Sequence, residues 1–140
     1  MLSRPRAPDP VGDRNVFTRS LTALLLTLAA GAHAEPRALD GGVYTRAQAK
    51  AGEDLFEAHC GTCHEPEYFE GVFKAWAGEP LADLFDVMAA TMPQSNPGSL
   101  GNPDYVGILA YILDENDYPR GDEALSEYAR GFDEITITAP

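Results

Sequence analysis

The chain has 140 residues and a mass of 15.1 kDa, room for one domain. Its 22 acidic against 10 basic residues give a net charge of −12, which argues against nucleic acid as a partner and against a membrane contact made through a positive patch. With 44% hydrophobic residues it is not disordered by composition, and two cysteines are too few for a multi-disulfide scaffold.

Residues 1–20 are polar and carry Arg4, Arg6, Arg14 and Arg19. An apolar block from Leu21 to Ala32 follows, and then Ala32-His33-Ala34. A basic stretch, a short apolar block and a small-x-small site read as a secretory signal, 1–34, cleaved after Ala34. The block is shorter than the ~20 residues that a membrane span needs, so no integral span is expected in the mature chain. The absence of paired arginines points to general export of an unfolded chain. Removing the leader takes away four arginines and two aspartates, so the mature residues, 35–140, hold 6 basic and 20 acidic residues, a net charge of −14 over 106. Such a chain is highly soluble and is steered toward basic partners.

The mature chain reads as all-α. Thr45-Arg-Ala-Gln48 is a capping-box pattern with Thr45 as N-cap, opening a helix over 46–60 with apolar marks Ala51, Leu55, Phe56 and Ala58. Residues 65–79 read as loop with a short turn at Phe69 to Trp76. A second helix starts at Pro80, carries the stripe Leu81, Leu84, Phe85 and Met88, and stops before Pro93. Residues 93–101 are a turn-rich loop. A third helix has Asn102 as N-cap and Pro103 at N1, with Tyr105, Ile108, Leu109 and Ile112 as its stripe. Gly107 in its middle costs about 1 kcal/mol against alanine. Past 118, a short amphipathic piece surrounds Leu125 to Tyr128. Ile135 and Ile137 then alternate in an extended segment that lies back on the domain.

Both cysteines stand in Cys60-Gly-Thr-Cys63-His64. Two thiols three positions apart can add across the two vinyl groups of one haem, and the next histidine then offers its imidazole to the iron. The run is the attachment pattern for haem c, and the export signal agrees with it. Three other readings exist. A thioredoxin-like pair belongs after a β-strand, whereas this one ends a helix. A structural zinc site needs four ligands, and here the only candidates are His59, Cys60, Cys63 and His64, crowded into six residues. A lone disulfide is the third. The other axial ligand falls to Met88 or Met92. Met88 continues the apolar stripe of its helix and reads as core. Met92 sits at a helix exit, restrained by Pro93 and a Pro/Gly-rich loop, and is the candidate iron ligand. His59 reads as a surface residue at the helix end.

The chain resembles the small monohaem class I cytochromes c over about residues 44–118. The marks are Gly52-x-x-x-Phe56-x-x-x-Cys60, Cys-Gly-Thr-Cys-His, Thr91-Met92-Pro93 with Pro97-Gly98-Ser99-Leu100, and Tyr105-x-x-Ile108-x-Ala110-Tyr111-Ile112-Leu113. The resemblance implies the cytochrome c fold, about three main helices around one covalent haem c. In it Gly52 and Phe56 of the first helix meet Ile108 and Tyr111 of the last. It further implies Cys60 and Cys63 as thioether anchors, His64 and Met92 as iron ligands, and Phe56, Trp76, Leu81, Phe85 and Leu100 in the haem pocket. Leu84, Tyr105 and Ile108 are further expected packers. The Met-Pro loop and last helix look like haem subunits paired with periplasmic quinoprotein dehydrogenases. One departure stands out: Pro66 lies too close to His64 to supply the carbonyl that usually fixes the imidazole.

The expected function is periplasmic electron transfer, without an enzymatic reaction of its own, between redox proteins with a basic docking face. Two alternatives are a haem subunit of a dehydrogenase complex docked through residues 119–140, and a gas- or peroxide-binding haem protein in which Met92 leaves the iron open.

Overall fold

A computed structural model describes residues 37–126 and 131–140; the expected leader, 1–34, lies outside them. The described residues belong to one unit, His33–Pro140, in the order β1 (Arg37–Ala38), a 3-10 turn (Leu39–Gly41), α1 (Arg46–His59), α2 (Tyr68–Ala75), α3 (Leu81–Thr91), α4 (Asn102–Glu115) and β2 (Ile135–Thr136). The architecture is mainly helical. Among the described residues the only sheet is the parallel pair β1–β2, with Arg37 opposite Ile135 and Ala38 opposite Thr136. Among them no helix is long and apolar enough to cross a membrane.

α1 starts as its capping box dictates. The Gln48 amide donates to Thr45 Oγ1 and the Thr45 amide donates to the Gln48 side chain, both at 3.3 Å. Gln48 also reaches the distant chain end. Its Nε2 donates to the Leu125 carbonyl at 2.8 Å, and its Oε1 accepts from the Leu125 amide at 2.7 Å. α2 stands where the sequence suggested loop. Phe69, Val72, Phe73 and Trp76 recur with helical period, and Lys74 pairs with Glu70 one turn back. α3 begins at Leu81 with Pro80 as its N-cap, and it ends at Met92, which is extended (φ −121°, ψ 153°) as the residue before a proline must be. The Met92–Pro93 peptide bond is cis. α4 begins one residue earlier than its sequence suggested: Gly101 is the N-cap and Asn102 already helical.

The most extensive packing joins α1 to α4. At their contact the backbones touch. A Cβ on Gly52 would lie 1.8 Å from the Gly107 carbonyl oxygen and 3.0 Å from the Ile108 nitrogen. A Cβ on Gly107 would meet Gly52 Cα at 3.5 Å, an ordinary contact, so the steric demand falls on Gly52. One turn along, the Phe56 and Tyr111 rings lie 5.3 Å apart. Gly52 and Phe56 therefore meet Ile108 and Tyr111.

The end of the chain is part of the core, which extends past the expected limit at 118. Phe132, Ile135 and Ile137 are buried, and so is Leu125. Phe132 stacks on Phe85 with ring centres 4.6 Å apart. Ile137 bonds to the turn before α3, its carbonyl accepting from Gly78 at 2.8 Å and its amide donating to Glu79 at 2.9 Å. The alternation at 135–137 is thus an inward-facing strand end. Its apolar side chains are committed to this chain's own interior. Near the other end of α4, Asp114 forms a two-point bond with Arg120 (2.5 and 2.7 Å) and accepts from the Tyr44 hydroxyl at 3.0 Å.

Candidate functional site

The run 60–64 leaves α1 in a tight turn. The Cys60 amide still donates to the Phe56 carbonyl at 2.7 Å, while the Cys60 carbonyl accepts from the amides of both Cys63 and His64 at 3.0 Å. This curl carries Cys60, Cys63 and His64 within five residues at the end of α1. Neither thiol is bonded to the other. Burial pushes the Cys60 thiol above its ordinary value, so it rests protonated at neutral pH. The His64 ring lies 5.1 Å from that of Tyr68 and 5.7 Å from that of Phe69, packed on the first turn of α2. The segment just after it is tied to α4: Asn116, itself buried, donates from Nδ2 to the Pro66 carbonyl at 3.0 Å and to the Ile112 carbonyl at 2.7 Å.

These groups open on a cavity of about 370 Å³. Cys60, Cys63 and His64 form one side. Phe69, Val72 and Trp76 of the α2 region, Leu84, Met88 and Met92 of the α3 region, and Ile108 and Ile112 of α4 enclose the rest. Met92 is held at the α3 exit. Its amide donates to Met88 at 2.9 Å, and its carbonyl accepts from the Gly98 amide at 3.3 Å and from the Tyr105 hydroxyl at 2.6 Å. Tyr68 and Val87 stand at the edge of the cavity, 58% and 48% exposed.

The structure therefore brings Cys60, Cys63, His64, Met92 and Trp76 to one cavity. It does not bring Phe56, Leu81, Phe85 or Leu100 to its wall, nor Tyr105, although Leu84 and Ile108 are there. Phe56 turns instead toward Tyr111 and Phe69 and borders a second, open hollow on the far side of the Cys-x-x-Cys-His turn. Leu81 is fully buried. Phe85 is covered by Phe132 and borders a separate apolar void of about 40 Å³. Leu100 is half-buried and packs on the core. Leu81 and Phe85, both on α3, share one cause. A stripe tells which face of a helix is apolar, but α3 is covered on two sides, and periodicity does not divide core-facing from cavity-facing positions. Met88 shows the converse, because it lines the cavity as well as the core void. His59 is exposed and sits at the cavity's edge. Tyr68, Phe69, Val72, Val87, Thr91 and Ile112 were not foreseen, and the helical spacing of 69, 72, 73 and 76 was the available signal.

Among the described residues no three His, Cys, Asp or Glu side chains gather as a metal cluster. The donors facing the cavity are of mixed kind: two thiols, an imidazole and thioethers, set in apolar walls. That set suits a large flat apolar group carrying its own metal, with thiols to anchor it and one nitrogen and one sulfur donor to complete the metal's coordination. Trp76, half-buried at the wall, offers an indole N–H for a polar edge of such a group. On the opposite side of the motif, Tyr111 is surrounded by carboxylates. Burial, then Glu115, Glu53, Glu57 and Glu67, pushes its phenol up.

No protein-family model, curated protein or solved structure matches the chain.

Proposed function

We propose that this chain is an electron carrier holding one covalent haem c, a protein of the class I cytochrome c type exported to the periplasm. The observation that carries the reading is the convergence of Cys60, Cys63, His64 and Met92 on one apolar cavity. Cys60 and Cys63 would hold the group through thioether bonds, and His64 and Met92 would donate to its iron. When bound, the haem supplies a single-electron couple between two iron oxidation states. The residues do the remaining work. With His64 and Met92 both given to the iron, no donor position would be left for a substrate, which favours electron transfer over catalysis. Apolar walls at Val72, Leu84, Ile108 and Ile112 keep water from the site. The tie from Asn116 to Pro66 steadies the stretch that carries His64. The carboxylates around Tyr111 favour a basic redox partner on that side, with association that weakens as salt rises.

A pyridine haemochrome spectrum of chain expressed with a haem-attachment system tests the reading. A c-type spectrum that stays with the polypeptide through acid–acetone extraction is expected. A colourless product, or colour that passes into the solvent, overturns it.

A further inference from the structure

α3 ends in a way that leaves one acceptor to be filled from elsewhere. The Met92 amide is still helical, bonded to Met88, but its own φ and ψ are extended, so its carbonyl leaves the helical ladder. The Gly98 amide reaches that carbonyl only at 3.3 Å. The strong partner is the Tyr105 hydroxyl, at 2.6 Å and thirteen residues away. Tyr105 is buried, its ring set edge-on against Phe85 with centres 6.3 Å apart, and it does not itself line the cavity. Packing thus fixes a donor that holds the peptide of a cavity-facing methionine.

We infer that Tyr105 is a positioning residue that aims the Met92 thioether, acting through the Met92 carbonyl. The inference rests on the haem reading above and deepens it. It separates the two methionines of the cavity wall. Met88 lies within α3, where the helix backbone sets its direction, and it needs no external tie. Met92 stands at the point where helical restraint ends, and the restraint passes to α4. The same helix grips the other donor segment at its far end, through Asn116 and Pro66, and its Ile108 and Ile112 form the wall between. α4 thereby spans from the imidazole segment to the thioether segment.

The test uses the holoprotein and two hydroxyl deletions, Tyr105→Phe and Tyr118→Phe. Both remove a tyrosine O–H bonded to a backbone carbonyl, Met92 in the first and Thr138 in the second, and Tyr118 lies outside the cavity wall. Each keeps its ring, so folded protein is expected. Added imidazole competes with the Met92 thioether, and its apparent affinity is read from the visible spectrum. Loss of one hydrogen bond that restrains the thioether should tighten that affinity about fivefold in Tyr105→Phe. The near-infrared sulfur-to-iron band should also vanish on warming before global unfolding. Tyr118→Phe should lose thermal stability while matching the wild type in both readouts. Equal imidazole affinity in Tyr105→Phe and wild type overturns the inference. So does a sulfur-to-iron band that survives in Met92→Ala, because Met88 would then be the donor. A wild type without covalent haem defeats the underlying reading, and that outcome is distinct from these.

Discussion

The α1–α4 contact and the cavity wall are built on opposite plans. At the contact two backbones meet, and the space at Gly52 is smaller than one methyl group. Around the cavity, α2 and α3 contribute a wall of separate residues, of which Tyr68 and Val87 remain about half exposed. The first region sets how the chain is put together and admits no added atom at Gly52. The second can exchange side chains without disturbing the backbone.

The sharpest way to break this contrast is the pair of glycines at the contact. Gly52→Ala must separate the helices, and its cost is expected to reach or exceed the top of the ~1–3 kcal/mol range for overpacking. Gly107→Ala adds its methyl at 3.5 Å, ordinary contact, and stands to gain up to about 1 kcal/mol of helix propensity. Denaturant unfolding of the two variants reads the difference; equal destabilisation would remove the claim that Gly52 alone bears the constraint. A smaller effect is expected at the end of the same contact. Hydrogen bonding from Arg120 holds the Asp114 carboxyl below its ordinary value, with the Tyr44 hydroxyl adding to the effect. A carboxyl lowered in the folded chain contributes stability above the unfolded value, about 3.9, and that contribution is lost as pH falls through the folded value. The stability gap between wild type and Asp114→Asn should therefore be constant above about pH 5 and shrink below about pH 4. A gap that widens on acidification would reverse the sign assigned to Asp114. The smallest effect belongs to the cavity edge. Val87→Thr, at a half-exposed position, should stay within about 0.5 kcal/mol of wild type in the same assay.

The parts legible in the sequence were those set by local chemistry. The Thr45–Gln48 box, the stop before Pro93, the stripe of α4 and the inward alternation at Ile135 and Ile137 each follow from a few neighbouring residues. The meeting of Gly52 and Phe56 with Ile108 and Tyr111 followed from the resemblance alone. α2 was obscured because it is only eight residues long and carries Gly71 within it, so its apolar period was read as a turn. Gly101 displaced Asn102 as cap because either residue suits that position. That Cys60, Cys63 and His64 belong together was legible from their spacing, and Met92 from its place at a helix exit before Pro93; all four line the cavity. The wall was not, since Leu84 and Phe85 are neighbours on one stripe and both border the small core void, yet only Leu84 reaches the cavity. Tyr105 and Asn116 were beyond reach, because each acts on a carbonyl 13 and 50 residues away, which no local pattern encodes.

The parallel pairing of β1 with β2, like that of α1 with α4, joins the start of the described chain to its finish. A ribosome releases α1 well before its partner helix, and it releases β1 before anything that β1 can pair with. Such distant pairings form late, after the intervening chain is complete. Until residues 135–137 join the chain β1 has no partner, whereas α1 can already close on α4.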